Sequence, residues 1–240
     1  MDFTEAYLTI VKASKERNTK ELPTILSCLD FEDKECLEIG CGPLARLAIK
    51  LSGFAKHIIC LENYDETVRT ALQAVTQAGL EKKISVQLLK KEELYKLPFS
   101  DNSFDVVYGS WLPHALSTSP EFLDEITRVS RKYILLLMPG INDDLVKMKS
   151  FVYPGEKERR EEYKKRISRH LKQNGMRVSY KEETLLLDFE TEEDIEGVFY
   201  CFDFKNQDIG NKKAKVDSFL EKRVHNLKNS FYCIIGEKLQ

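Results

Sequence analysis

The sequence lacks the features that would place the chain in a membrane or on a secretory route. No apolar run approaches the roughly 20 residues that a membrane-spanning helix needs. The first five residues, MDFTE, have neither the basic start nor the apolar stretch of a secretion signal. The composition, 42% hydrophobic and 32% charged, is that of a globular protein. We therefore expect a cytoplasmic protein without membrane contact.

The sequence also lacks cysteine pairs at metal-binding spacing. None of the six cysteines forms a CxxC motif, and Cys36, Cys60 and Cys233 lie within apolar, strand-like runs. A free cysteine in such a run usually packs as a small buried hydrophobic side chain. We therefore predict buried cysteines and no zinc or other metal site.

The chain has no excess of charge of one sign. Its 37 Lys and Arg face 39 Asp and Glu, a formal net charge of -2. A nucleic-acid-binding protein usually shows an excess of positive charge. The densest charged stretch, residues 157–172, interleaves acids and bases, which is typical of a solvated helix face. Nucleic acid is thus disfavoured as a partner, and this stretch is its only support in the sequence.

Apolar strands and amphipathic helices alternate along the first part of the chain. This alternation is typical of βαβ units and a parallel sheet. The predicted strands are 36–39, 57–61, 84–89, 104–108 and 133–138, and the predicted helices among them are 43–52, 65–78 and 119–130.

The flanking segments complete a single predicted domain over residues 1–240. We expect N-terminal helices in residues 1–30, a ligand-binding core in 34–140 and a C-terminal half with inserted helices in 141–240. The periodicity predicts helices at 2–17, 22–29, 156–174 and 216–227, an extended stretch at 177–189 and a last strand at 231–236.

The stretch from Cys36 to Leu44 joins the first predicted strand to a glycine turn. Gly40 and Gly42 allow backbone conformations closed to other residues and let a ligand approach the main chain. The predicted helix starting at Pro43 would offer free backbone N–H groups to polar ligand atoms. The turn also satisfies the G-x-G-x-x-A pattern of dinucleotide-binding folds, so an NAD-dependent dehydrogenase remains an alternative.

Two further stretches accompany the turn. Glu62 closes the second predicted strand, and residues 97–107, LPFSDNSFDVV, lead into the fourth. With Glu38-x-Gly40-x-Gly42, these pieces make residues 34–140 resemble the class I, Rossmann-like S-adenosylmethionine-dependent methyltransferases that carry an LPFxDxSFDVV segment. The resemblance implies a three-layer α/β fold with helices on both faces of a seven-stranded, mostly parallel sheet whose last strand is antiparallel.

The resemblance also assigns the parts of S-adenosylmethionine to four groups of residues. The turn would hold the methionine moiety, and the end of the second strand the ribose hydroxyls. The segment before residue 97 would hold the adenine, and the residues after the fourth strand would border the methyl group. In that order the groups are Glu38, Gly40, Cys41 and Gly42; Glu62 and Asn63; Glu93 and Leu94; and Gly109, Ser110 and Trp111.

The sequence departs from the family pattern at two places. Leu44 stands where a third glycine is frequent, and Pro43 removes one backbone donor. Gly109-Ser110-Trp111-Leu112-Pro113 stands where amino-methyltransferases of adenine and glutamine carry Asn-Pro-Pro-Tyr, so that chemistry is disfavoured. His114, close behind, is the candidate general base, with a structural hydrogen-bonding histidine as the alternative.

The function predicted from this resemblance is methyl transfer from S-adenosylmethionine to a small-molecule acceptor. The acceptor pocket would be lined by Tyr7 and Ile10 of the first predicted helix and by the aromatic residues Trp111, Tyr153, Phe199, Tyr200 and Phe202. As an alternative, Phe199 and its neighbours form a satellite core. A non-catalytic S-adenosylmethionine-binding or scaffold protein and an RNA or protein methyltransferase remain alternatives.

Overall fold

A computed structural model describes residues 1–17, 19–204 and 209–239. Within these residues seven strands form one sheet, in the spatial order β3-β2-β1-β4-β5-β7-β6. The strands are β1 Glu35–Ile39, β2 His57–Glu62, β3 Ile84–Leu88, β4 Phe104–Ser110, β5 Ser130–Pro139, β6 Met176–Leu187 and β7 Leu227–Lys238. The pairs among β1 to β5 are parallel, and the last strand is antiparallel, so the predicted fold is confirmed.

Helices cover both sides of the sheet. They are α1 Phe3–Ala13, α2 Glu21–Cys28, α3 Arg46–Leu51, α4 Asp65–Gln77, α5 His114–Ser117, α6 Pro120–Val129, α7 Asp144–Val152, α8 Glu156–Gln173, α9 Glu192–Asp203 and α10 Lys213–Glu221. Short 3₁₀ turns lie at Lys15–Arg17, Lys91–Tyr95 and Gly210–Lys212. No helix in the described part of the chain is long and apolar enough to cross a bilayer.

The chain divides into two compact units. The first, called here the core unit, comprises Ile25–Met138, Tyr163–Lys181 and the chain from Tyr232 onward. Its main apolar cluster takes Leu37 and Ile39 from β1, Val107 from β4 and Ile134 from β5. Side chains alternate between the two faces of a strand, so Glu38 points to the opposite face.

The other unit comprises Met1–Thr24, Pro139–Glu162 and Glu182–Phe231. Its apolar cluster contains side chains of α1, α7, α9 and α10. Phe199 is buried in that cluster, and Tyr153, Tyr200 and Phe202 pack against it. This packing matches the satellite core that the sequence left open for these aromatic residues, and their role in an acceptor pocket stays a prediction.

Two predicted boundaries near the glycine turn were wrong. Helix α3 begins at Arg46 instead of Pro43, because Ala45 adopts the left-handed conformation with φ 41° and cannot extend the helix backward. The turn therefore does not run directly into a helix N-terminus. Strand β4 continues through Ser110, so Gly109 and Ser110 belong to the strand rather than following it.

Two helices of the second unit were not predicted as helices. Residues 192–203, for which no helix was predicted from the sequence, form α9, and the side chain of its Thr191 cap accepts a hydrogen bond from the Asp194 N–H. Helix α7 was not predicted. Five of the six cysteines are buried and Cys28 is half-buried, which confirms most of the packing prediction.

Candidate active site

The glycine turn adopts the backbone conformation that its two glycines make accessible. Gly40 has φ +71° and Gly42 has φ +70°, both in the left-handed region. The Gly40 N–H donates to the carbonyl of Leu61 at 2.8 Å. The Gly42 N–H donates to Oε1 of Glu62 at 2.6 Å. The end of β2 thus holds the turn in place from the side.

Glu62 is a buried carboxylate with two backbone donors. It is 9% exposed, and its Oε2 accepts a hydrogen bond from the Asn63 N–H at 3.2 Å. Burial raises the pKa of this carboxyl, and the hydrogen bonds from Gly42 and Asn63 act in the opposite direction. Each carboxylate oxygen has two acceptor positions, so Glu62 can still accept hydroxyl hydrogens.

Glu38 lies in the centre of the sheet and is 1% exposed. Its Oε2 accepts hydrogen bonds from the Tyr108 hydroxyl at 3.2 Å and from the Cys60 thiol at 3.8 Å. Its Oε1 is buried and has no hydrogen-bond partner among the residues that the structure describes. Burial, the largest effect, raises the pKa of Glu38 to about 7, against the lowering effects of Tyr108, Arg46 and Cys60.

The end of β4 lies beside the end of β1, which leads into the glycine turn. Ile39 and Gly109 are register partners of the two parallel strands. A Cβ at Gly109 would lie 2.7 Å from Cδ1 of Leu112, and one at Gly40 would lie 3.0 Å from its Cδ2. The glycines therefore leave room for the buried Leu112 side chain, which covers the backbone at both strand ends.

Trp111 leaves β4 in a strained backbone conformation. Its φ is +58°, which is uncommon for a large side chain, and its N–H donates to the Leu137 carbonyl at 2.9 Å. The indole Nε1 is shielded from solvent and meets no acceptor within the described ranges of the chain. This N–H is a donor at the point where the resemblance places the methyl-bearing end of the cofactor.

The predicted adenine segment forms a 3₁₀ turn held by neighbouring groups. The Glu93 carboxylate accepts a hydrogen bond from the Lys90 N–H at 2.7 Å, which caps the turn. The Leu94 side chain is 7% exposed and belongs to the core unit's apolar cluster. The structure thus gives both residues a packing or capping contact, and their contact with adenine stays a prediction.

Two residues that the sequence did not single out fix the LPFSD segment. Oε1 of Glu125 accepts the Leu97 N–H at 2.6 Å. The Arg128 guanidinium donates to the Leu97 carbonyl at 3.1 Å, the Phe99 carbonyl at 2.8 Å and Asp101 Oδ1 at 2.7 Å. It also pairs with Glu125, three residues earlier on α6. The sequence shows the Glu-x-x-Arg spacing on α6, but it does not show that these two side chains bind the LPFSD segment.

His114 opens the short helix α5. Its ring stacks on the Tyr163 ring, with centroids 4.4 Å apart and an interplanar angle of 29°. Stacking holds the imidazole plane in one orientation, and both residues belong to the core unit. The contact fits the structural alternative as well as a base, so the catalytic role of His114 stays a prediction.

Comparison with known proteins decides between the two patterns that the glycine turn satisfies. Residues 37–136 match the family model described as a methyltransferase domain. These residues are a methyltransferase domain. Because the solved structures that resemble the chain include an S-adenosylmethionine-dependent methyltransferase, that cofactor is the one to compare with the site. No curated protein matches the sequence significantly.

Solved structures resemble the methyltransferase over nearly its whole length. The YcgJ protein of Bacillus subtilis is 15% identical, with a TM-score of 0.63 over 93% of this chain and 99% of its own. A SAM-dependent methyltransferase of Aquifex aeolicus is 17% identical, with a TM-score of 0.56 over 98% of both chains. Geranyl diphosphate C-methyltransferase of Streptomyces coelicolor is 8% identical, with a TM-score of 0.58 over 96% of this chain and 82% of its own. At these identities the likeness shows the fold.

The residues of the core unit fit the groups of S-adenosylmethionine. The cofactor carries an ammonium, and Glu38 keeps one buried oxygen without a partner among the described residues. It carries a ribose diol, and Glu62 is a carboxylate at the end of β2. It also needs close backbone approach, which the left-handed conformation of Gly42 permits. The carboxylate acceptors thus match the cofactor at two separate groups, its ammonium and its ribose diol.

We predict that Glu62→Ala weakens binding of S-adenosylhomocysteine and leaves the fold intact. The substitution removes the carboxylate that accepts the Gly42 N–H and would accept the ribose hydroxyls. Loss of such charged hydrogen bonds costs about 1 to 3 kcal/mol. Titration calorimetry measures the affinity, and a thermal melt checks the fold. The affinity of Glu62→Gln, which keeps one carbonyl acceptor, should lie between those of wild type and Glu62→Ala.

The control for this prediction is Glu66→Ala. Glu66 is exposed in the first turn of α4, only four residues further along the chain. Its replacement should leave the affinity unchanged. An unchanged affinity in Glu62→Ala as well would mean that Glu62 does not hold the ribose.

We predict that the cost of Gly109→Ala depends on the side chain at position 112. The added Cβ would lie 2.7 Å from Leu112 Cδ1 and 3.2 Å from the Ile39 carbonyl oxygen. Overpacking of this kind costs about 1 to 3 kcal/mol of unfolding free energy. In a Leu112→Ala background the main clash is gone, so the same substitution should cost less than about 1 kcal/mol. Urea unfolding of the four proteins measures the difference; equal costs in both backgrounds would contradict the prediction.

Proposed function

We propose that this methyltransferase transfers the methyl group of S-adenosylmethionine to a small-molecule acceptor. The observation that carries the proposal is the sheltered donor at the end of β4. The Trp111 indole N–H is shielded from solvent and lacks an acceptor in the described residues. A small molecule reaches a donor shielded in this way more readily than a folded macromolecule, which would have to present a protruding group.

Two further observations support a small acceptor over a nucleic acid. The chain has a net charge of -2, which gives no general attraction for a phosphate backbone. Within α8, the most basic stretch, Arg159 and Arg160 both pair with Glu156. Those two guanidinium groups are engaged by protein. The Streptomyces neighbour named above acts on geranyl diphosphate, a small molecule, in keeping with this proposal.

In the proposed mechanism the cofactor supplies an electrophilic methyl group on its sulfonium. Glu38 and the turn at Gly40 to Gly42 would hold the methionine moiety, and Glu62 the ribose. Leu112, which packs against Gly40 and Gly109 at the strand ends, would exclude water from the proposed region of the methyl group. Methyl transfer needs alignment of the acceptor with the methyl group more than a dedicated base. If a proton must be removed, His114 is the proposed acceptor.

Label distribution tests the acceptor class. The protein is incubated with S-adenosylmethionine carrying a radioactive methyl group and a cell extract split into a low-mass fraction and a macromolecular fraction. The proposal expects label in low-mass products from the first fraction. Label confined to acid-precipitable protein or RNA would overturn it. Glu62→Ala and Glu66→Ala serve as the impaired variant and its matched control.

A further inference from the structure

Glu38 lies in one row of side chains across three parallel strands. In the register of the sheet, Glu38 on β1 is the partner of Cys60 on β2 and of Tyr108 on β4. The Cys60 and Tyr108 side chains are both fully buried. Register partners in neighbouring strands point to the same face. A buried carboxylate is thus flanked on both sides by neutral hydrogen-bond donors.

The two carboxylate oxygens of Glu38 differ in their hydrogen bonds. Both the Tyr108 hydroxyl and the Cys60 thiol donate to Oε2, at 3.2 and 3.8 Å. Oε1 receives no hydrogen bond from any residue that the structure describes. A carboxylate held by one oxygen cannot exchange its oxygens freely. The side that remains for a further donor is therefore always Oε1.

The donors are themselves held in place. The Tyr108 ring packs edge-to-face on Phe31, with centroids 6.0 Å apart and an interplanar angle of 88°. Burial raises the pKa of Tyr108 well above its ordinary value, so the hydroxyl keeps its proton. The neighbouring Cys41 and burial raise the pKa of Cys60 likewise. Both groups stay donors across the neutral range.

We propose that Tyr108, assisted by Cys60, is a positioning residue that presents Oε1 of Glu38 to the ammonium group of the cofactor's methionine moiety. The proposal rests on the role given above to Glu38 and is independent of the acceptor. A hydrogen bond between an ammonium and a carboxylate is about twice as strong as one between neutral groups. Its strength depends on geometry, and that geometry is what Tyr108 supplies.

A pair of ligands isolates this contact. S-adenosylhomocysteine carries the ammonium group, and its deamino analogue lacks only that group. The wild-type protein should prefer the first, and Glu38→Gln should abolish the preference. Tyr108→Phe removes one hydroxyl and should reduce the preference about fivefold to tenfold, as expected for one net hydrogen bond. Cys60→Ala should reduce it about twofold, because a thiol is the weaker donor.

Tyr133→Phe is the matched control. Its hydroxyl lies 3.4 Å from Glu237 on the same sheet and away from Glu38. The preference should be unchanged in this variant. Titration calorimetry measures the affinity of each protein for both ligands, and circular dichroism checks that each protein is folded. If Tyr108→Phe does not fold, Cys60→Ala carries the comparison.

The pH dependence of binding gives a second readout. The groups that face Glu38 and titrate or carry charge are Cys60, Tyr108, Arg46, Glu62, Cys41 and Cys36. The Tyr108 hydroxyl favours the ionised form of Glu38, so its removal should move the midpoint of S-adenosylhomocysteine binding to higher pH. A change of fold alone would weaken binding without moving the midpoint.

Three results would overturn the proposal. If Tyr108→Phe weakens the binding of both ligands equally and leaves the pH midpoint of binding unchanged, Tyr108 is a structural residue only. An undiminished preference in both Tyr108→Phe and Cys60→Ala would show that neither group positions Glu38. A wild-type protein that binds both ligands equally would remove Glu38 from the ammonium site. None of these results bears on the distribution of methyl label, so failure of the acceptor proposal would be recognised separately.

Discussion

Replacement of Glu38 by Gln is expected to make the protein progressively more stable, relative to wild type, as the pH rises from 4.5 to 8. In the folded protein burial raises the pKa of Glu38 to about 7, from an ordinary value of 4.5. Between these two values the folded state binds more protons than the unfolded state, so the free energy of unfolding falls with rising pH. Each pKa unit corresponds to about 1.4 kcal/mol, so the full change is about 3 kcal/mol.

The variant gains stability relative to wild type because the charge of Glu38 is unfavourable only in the folded state. Below pH 4.5 Glu38 is neutral in both states and resembles the glutamine side chain. Above pH 7 the folded wild type holds an ionised carboxylate in the sheet centre, whereas the glutamine of the variant is neutral at every pH. The fixed cost of burying the amide hydrogens cancels, because the comparison is between pH values rather than between proteins at one pH.

Urea unfolding of both proteins at several pH values measures this difference. Glu66→Gln is the control, because the Glu66 side chain is exposed on α4. Its curve should run parallel to that of wild type. A Glu38→Gln curve that also runs parallel would mean that the pKa of Glu38 is the same in the folded and unfolded states, as for a freely solvated carboxyl.

The same substitution is expected to weaken S-adenosylhomocysteine binding. A site that gains stability while losing ligand affinity is one where function maintains an unfavourable charge. The opposite changes in stability and affinity would therefore mark Glu38 as a binding group rather than a packing group. Loss of both together would instead indicate a structural role.

The sequence was sufficient to predict the fold where side-chain pattern and strand position agree. The apolar run around Leu37 and Ile39 predicted a central strand, and the structure confirms it as β1. The turn at Gly40 and Gly42 was predicted because glycine there has a direct conformational reason, its positive φ. The antiparallel last strand was expected only through the family resemblance, since no local pattern encodes strand direction.

The details that the sequence could not supply depend on contacts distant along the chain. Ala45 has no sequence signal for its left-handed conformation, so the start of α3 was misplaced by three residues. The division of the Glu38 oxygens depends on the register of β1 with β2 and β4. The LPFSD segment was recognised as a motif, but its partners on α6 were not. Register and helix placement are tertiary properties, and short-range periodicity does not contain them.

Arg128→Ala is expected to lower the free energy of unfolding by about 3 kcal/mol, near the low end for breaking a buried ion pair because Arg128 is partly exposed. The substitution takes the guanidinium away from Glu125, which is 8% exposed and keeps the Leu97 N–H as a donor. It also leaves the carbonyl oxygens of Leu97 and Phe99 without the guanidinium. Hydrogen bonds from the guanidinium to the carboxylates of Glu125 and Asp101 raise the pKa of Arg128, so the guanidinium is charged at every working pH.

Arg131→Ala is the matched control on the neighbouring strand. Arg131 pairs with Asp105 at 2.6 Å, but its side chain is 54% exposed. An exposed pair contributes about 1 kcal/mol or less. Arg128→Lys should cost an intermediate amount, because an ammonium is a single point and cannot span the carboxylates and the two carbonyls as a guanidinium does. Urea unfolding measures all three variants.

Ligand binding by Arg128→Ala shows whether the LPFSD segment serves only the fold or also supports the predicted adenine contact. The segment held by Arg128 directly follows the 3₁₀ turn that carries Glu93 and Leu94, so its release should loosen the predicted adenine contact. S-adenosylhomocysteine affinity, measured well below the unfolding temperature, should fall in Arg128→Ala and stay unchanged in Arg131→Ala. Equal losses of stability in Arg128→Ala and Arg131→Ala would show that the contacts of Arg128 with the LPFSD segment do not stabilise the fold. A large stability loss with unchanged affinity would show that LPFSD serves the fold alone and that the adenine lies elsewhere.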